Sequence, residues 1–148
     1  MIENEILPAI VAQKQKQTKS TLCLENFELK EFDAIIKYIS INPNIREVNF
    51  SNTNLDLSKV QHLVIEITKN QLGLNMLNLS NNPFIDDQVA NTLSLLFYAK
   101  SSIKKLILNG TSITYKGLIS ILKSTAKNIK VCELFFVDCP NLEISTPE

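Results

Sequence analysis

The chain has little of what usually signals chemistry. Its 148 residues include three glycines, three cysteines, one histidine and no tryptophan. Glycines as far apart as Gly73, Gly110 and Gly117 exclude a glycine-rich phosphate loop, which needs several within one turn. Cys23, Cys132 and Cys139 are an odd set without Cys-x-x-Cys spacing. That excludes paired zinc ligands and favours reduced thiols over a disulfide framework. His62 lies between Val60 and Leu63 on a helical stretch, across the expected core from the strands that carry Cys23 and Cys132. It therefore makes no nucleophile–base pair with either thiol. The adjacent Asp86 and Asp87 open a helix, where capping and the helix dipole account for them better than a metal does. The expectation is a protein that is not an enzyme, with no cofactor and no metal.

Other absences bound the setting. No apolar run approaches the roughly 20 residues of a membrane-spanning helix. The N-terminus carries Glu3 and Glu5 where a secretory signal has positive charge. With the reduced thiols, this points to a cytoplasmic protein. Fifteen basic residues balance fifteen acidic ones, against the clustered positive charge that nonspecific nucleic-acid binding requires. The short lysine-rich piece Lys14–Lys19 reads as a solvated helix end.

What is present is repetition. Stretches starting at Ile45, Leu74, Ile103 and Val131 share one pattern: apolar residues at positions 1, 4 and 6, Asn, Thr or Cys at 9, and an apolar residue near 11. This is the leucine-rich pattern L-x-x-L-x-L-x-x-N/C-x-L. A degenerate copy begins at Lys19, with Leu22, Leu24 and Leu29 at positions 4, 6 and 11. Between the copies, apolar residues recur at helical spacing. The stripes are Phe32/Ile35/Ile36/Ile39, Val60/Leu63/Val64/Ile67, Val89/Thr92/Leu93/Leu96 and Leu118/Ile121/Leu122/Thr125. Each unit is thus a short strand followed by a helix that returns antiparallel, and successive strands lie parallel. One unit has too small an apolar face to fold alone, so stacked units share a continuous core.

The expected fold is α/β: a right-handed leucine-rich-repeat solenoid forming a short horseshoe arc. About five strand–helix units place parallel strands on the concave face and helices on the convex face. Residues 1–18 read as an N-terminal capping helix, 19–142 as the repeats and 143–148 as a tail. The position-9 residue, best exemplified by Asn82, should turn inward and bond loop backbone. Leu74, Leu77, Leu79, Asn82 and Phe84, and then Ile103, Leu106, Leu108 and Ile113, carry a resemblance to the ribonuclease-inhibitor-type leucine-rich repeats. Gly117 stands where that family's helix and strand approach closely. The resemblance implies a binding scaffold that recognises a protein partner on its concave sheet. The Asn/Lys/Ile/Ser-rich composition also resembles effectors that intracellular bacteria deliver into host cells.

Positions 2, 3, 5, 7 and 8 should point away from the core, so the concave surface can be written out. The candidate protein-binding residues are Asn49, Met76, Asn78, Lys105, Ile107, Asn109, Glu133, Phe135 and Val137. Ile107, Phe135 and Val137 form an apolar group with a charged rim, the pattern of a protein-binding core. Alanine at the outward Asn78 or Asn109 should cost within about 0.5 kcal/mol. The alternative reading is an assembly element. Residues 131–137 would be an edge strand, and self-association there would give a homodimer.

Overall fold

The computed structural model describes residues 20–99, 101–126 and 133–142. The expected capping helix, the lysine-rich piece, Cys132 and the tail lie outside these residues. Strands β1 (Thr21–Cys23), β2 (Glu47–Asn49), β3 (Met76–Asn78), β4 (Lys105–Ile107) and β5 (Glu133–Phe135) alternate with four helices. These are α1 (Phe32–Ser40), α2 (Leu57–Thr68), α3 (Asp87–Tyr98) and α4 (Tyr115–Thr125). The five strands form one open parallel sheet in sequence order. The register pairs Thr21 with Glu47, Glu47 with Met76, Met76 with Lys105 and Lys105 with Glu133, the alignment read from the repeat. The expected strand–helix solenoid is therefore the observed fold. Its fifth unit differs, carrying only a 3-10 turn at Pro140–Leu142 among the described residues.

Alternation on the strands builds the core. Position 4 supplies Leu22, Val48, Leu77 and Leu106, and position 6 supplies Leu24, Phe50, Leu79 and Leu108, all buried. The parallel ladder runs beyond the short strands. The N–H groups of Leu24, Phe50, Leu79 and Leu108 each donate to the carbonyl of the next unit's position 5. Asn82 behaves as the motif requires. Fully buried, its side chain accepts from the N–H groups of Thr53 (3.1 Å) and Leu55 (3.0 Å) and donates to the carbonyls of Phe50, Leu79 and Ser80. Thr111 and Cys139, at the same position, each donate to the carbonyl of Leu108.

Position 8 holds a second regularity that periodicity does not reveal. Asn26, Asn52, Asn81, Gly110 and Asp138 all have positive φ. Each turns the chain out of its strand, and Asn, Asp and Gly are the residues that tolerate this left-handed conformation.

Several expectations need correction. Cys23, Ser51 and Ser80, assigned to the outward face, are buried. In the third unit Ile85 occupies the core and Phe84 stands 60% exposed. One extra residue sits between strand and helix there. The N-caps Asp56 and Asp86 are 30 positions apart, whereas the strands repeat at 29. On α4 the buried residues are Gly117, Ile121 and Ser124, while Leu122 of the expected stripe is exposed.

Gly117 lies against a helix rather than a strand. A Cβ there would stand 2.9 Å from Ala90 Cβ and 2.5 Å from Asp87 Oδ1. Asp87 itself reaches across from α3 to cap α4. It accepts from the N–H of Thr114 (2.8 Å) and of Gly117 (3.1 Å), satisfying donors that a helix N-terminus leaves free. Gly117→Ala should therefore cost about 1–3 kcal/mol through overpacking, despite a helix-propensity gain of about 1 kcal/mol. Urea midpoints check it; an unchanged or raised midpoint would show that α3 and α4 separate freely.

Asp56 caps α2 by accepting from the Lys59 N–H at 2.9 Å. That bond, aided by the Lys59 ammonium at 3.3 Å, holds its pKa below the ordinary 3.8. A carboxyl depressed by folding stabilises the protein above its unfolded pKa, and the contribution fades as pH falls through the folded value. The stability gap between the native chain and Asp56→Asn should accordingly be wider at pH 7 than at about pH 3. Urea melts of both chains at the two pH values measure it. A gap that stays constant would disprove the assignment.

Candidate protein-binding surface

The concave face is built by side chains in register across the sheet. Met76, Lys105 and Glu133 align in one row, and Asn78, Ile107 and Phe135 in the next. Ile107 and Phe135 are directly paired neighbours, each half-buried, and Val137 stands 58% exposed two residues further on. The predicted apolar group is thus contiguous. Lys105 sits over it: its ammonium is 5.2 Å from the Phe135 ring centroid and 3.8 Å from Glu133 Oε2. The cation lies between an aromatic face and a carboxylate, which places a charged rim beside the apolar centre.

The amide residues have a second role. Asn49 Oδ1 accepts from the Ser51 N–H at 2.8 Å and from the Ser51 hydroxyl. Asn78 Oδ1 accepts from the Ser80 N–H at 3.1 Å. Both form Asx turns that bend the chain into the position-8 turn. Where Ile107 replaces Asn, Asn109 takes over and accepts from the Val137 N–H at 2.7 Å. These bonds make alanine at Asn78 or Asn109 cost about 1 kcal/mol rather than the smaller loss expected of an idle outward side chain.

The surface therefore divides in two. Around Asn49 and Asn78 the polar side chains are tied into their own turns, which lowers their availability to a partner. Around Ile107, Phe135 and Val137 the apolar area is open.

Sequence reasoning passed over other exposed apolar residues. Tyr115 and Leu122 on α4 were hidden because the helical stripe assigned Leu122 to the core and ignored Tyr115. The signal that could have found them is positional: with the N-caps Asp86 and Thr114 aligned, Asp87 and Ser94 of α3 give way to Tyr115 and Leu122 on α4. His62 is half-buried between helices. Its ring lies edge-on to Phe32, Nδ1 is 3.1 Å from Asp33 and Nε2 is 3.6 Å from Glu66, a packing and bridging arrangement.

The fold is that of a leucine-rich-repeat-like α/β protein with a concave sheet face. Two of the solved structures that share the fold are informative. One is the leiomodin-1 actin-binding site 2, with a TM-score of 0.68 and 23% identity over 76% of this chain and 65% of that one. The other is the tropomodulin C-terminal domain of Caenorhabditis elegans, with a TM-score of 0.63 and 19% identity over 75% of this chain and 66% of that one. The chain spans just under two thirds of the length of either. No protein-family model matches the sequence, and no curated protein matches it.

The expected ribonuclease-inhibitor-type resemblance is not borne out, since the structural similarity found is to the leiomodin and tropomodulin domains. The reason is physical. The L-x-x-L-x-L spacing encodes the inward positions of a strand and its loop, which any parallel strand–helix stack of this period must satisfy. It cannot separate one class of such stacks from another.

Proposed function

We propose that this chain is a protein-interaction module without a catalytic step of its own. It takes its partner on the concave sheet at Ile107, Phe135 and Val137, with Met76, Lys105 and Glu133 at the rim. The observation that carries this reading is the contiguity of the apolar residues beside a Lys105 already held in place, a desolvable centre with a polar border. The leiomodin-1 structure of the same fold is an actin-binding site, which supports protein binding and makes purified actin the first candidate to test. The comparisons lend no support to the effector resemblance. No helix among the described residues is long and apolar enough to cross a membrane.

Affinity capture with the native chain and with Val137→Asp tests the site. Val137 is exposed, so the substitution leaves the fold intact, and circular dichroism verifies that. The expected result is at least about a tenfold loss of the captured partner, the effect of placing an unpaired charge in an apolar interface centre. A partner retained in full by the folded variant would sink the assignment.

A second reading, self-association through β5, rests on its open edge. In every other unit the N–H groups of positions 6 and 8 donate to the next strand. For Phe136 and Asp138 there is no further strand among the described residues. Leu134 and Phe136 are only half-buried where their counterparts are fully enclosed. Such an edge is a template for strand pairing. Sedimentation over a concentration series decides it, and a monomer at all concentrations would end this reading.

A further inference from the structure

Asn109-Gly110 is the one asparagine–glycine step of the chain, and it falls at positions 7 and 8, just past β4. Position 8 takes a positive φ in every unit, and Gly110 adopts 66°. A side chain is barred there as well, because a Cβ would collide with the Asn81 carboxamide. The fold therefore requires this glycine, and the glycine leaves the peptide nitrogen after Asn109 without steric cover.

Asparagine is a chemically labile residue, most of all before glycine. The Gly110 nitrogen, on losing its proton, attacks Asn109 Cγ. The carboxamide nitrogen takes up a proton and leaves as ammonia, and a five-membered succinimide remains. Water then opens the ring. Attack at Cγ yields aspartate, while attack at the Asn109 main-chain carbonyl yields isoaspartate, whose backbone is one methylene longer. Water is the only co-reactant, and nothing is oxidised or reduced. The leaving nitrogen, Nδ2, makes no hydrogen bond among the described residues, and both residues are half-exposed, so ammonia can depart and water can enter.

What restrains the reaction is the last strand. Val137 clamps both reacting groups: its N–H donates to Asn109 Oδ1 at 2.7 Å, and its carbonyl accepts from the Gly110 N–H at 2.9 Å. The first bond fixes the carboxamide. The second keeps the Gly110 nitrogen engaged as a donor rather than free as a nucleophile. Val137 lies just past β5, the least enclosed strand: Leu134 and Phe136 are only partly buried, and no strand follows among the described residues. Local opening begins where burial is least.

We propose that Asn109-Gly110 is a self-modification site gated by β5. Undocking of β5 frees the step to close its succinimide, and isoaspartate then prevents redocking. The extra methylene displaces Gly110, so its N–H no longer meets the Val137 carbonyl. A new carboxylate also appears beside Ile107, Phe135 and Val137. A transient opening thus becomes permanent. The inference stands on the Val137 clamp and does not depend on what the concave face binds.

The test incubates the full chain at mildly alkaline pH. Trypsin then releases Leu106–Lys116, in which Asn109 is the one asparagine. Chromatography with mass spectrometry counts its asparagine, aspartate and isoaspartate forms. The expected native rate is at least about tenfold below that of the same chain unfolded in urea, the protection a closed strand gives. Leu134→Ala loosens β5 without removing either clamp bond, and should raise the native rate at least about threefold. Leu29→Ala, in the buried core at the opposite end of the sheet, should leave the rate within about twofold. Circular dichroism verifies that both variants fold, and Leu134→Val, a smaller truncation, replaces an unfolded Leu134→Ala. Asn109→Gln, which would have to close a six-membered ring, should give no product. The purified isoaspartyl chain should exchange its amides faster at residues 133–138, with Val48 and Leu77 as protected as before.

A native rate equal to the urea rate would show that Val137 restrains nothing. Equal acceleration by Leu29→Ala and the Leu134 variant would make the gate global unfolding rather than β5. An Asn109 that stays intact when β5 is loosened would remove the site. Unchanged exchange at residues 133–138 in the isoaspartyl chain would overturn the claim that modification holds β5 open.

Discussion

Asn82→Ala should destabilise the protein by roughly 3–5 kcal/mol, the largest loss expected from a single polar residue here. The amide is fully buried between the second and third units. It joins them by accepting from the N–H groups of Thr53 and Leu55 while donating to carbonyls on both sides. Alanine would strand two buried donors and several carbonyls, and each unsatisfied group costs about 1–3 kcal/mol. Aspartate preserves the acceptor but loses the donation and buries a charge, so it should be no better. Thr53 and Thr111 fill the same position with one bond to a carbonyl each, apart from Thr111's contact with Cys139. Thr111→Ala should accordingly cost distinctly less than Asn82→Ala. Denaturant unfolding of both variants checks the ranking, and equal losses would show that the ladder, not the side chain, joins the units.

Leu79→Ala should cost about 2–5 kcal/mol, because a fully enclosed leucine loses its burial and leaves a cavity that the neighbouring units cannot close. Phe50, Leu79 and Leu108 stack through the core at the same position of successive units. A cavity at Leu79 therefore sits in the middle of the stack, where packing has least freedom to relax. The adjacent Asn78→Ala should lose only about 1 kcal/mol, the worth of its bond to the Ser80 N–H. Urea unfolding of the pair measures the contrast. Comparable losses at both positions would mean that inward and outward faces are not distinguished as the strand alternation requires.

How far the fold was legible differs from residue to residue. Val48, Leu77 and Leu106 could be assigned to the core because strand alternation is local and repeats at a constant period. Val60, Leu63, Val64 and Ile67 were equally plain on α2, a helix packed on both flanks, where every residue of the stripe is buried. The same rule failed on α4. Leu122 looks like core in the sequence, yet it is exposed, and Leu118 is only half-buried. Phe84 misled for a related reason: a one-residue change in loop length passed the inward position to Ile85.

The candidate site shows the same division. The alignment of Ile107, Phe135 and Val137 followed from the repeat period alone. The Asx turns of Asn49 and Asn78 and the seat of Lys105 over Phe135 depend on distances between side chains.

By itself, then, the amino-acid order determined the strand–helix unit, its register, the inward Asn82 and the apolar group on the concave face. Each of these is set by spacing along the chain, and spacing survives translation into structure when one geometry repeats. Only the tertiary structure decided two other matters: which apolar residues are covered and which polar ones are already committed. Burial is a property of neighbours. Asp87 capping the next helix and Gly117 against Ala90 both join residues whose relation exists only once the units are stacked.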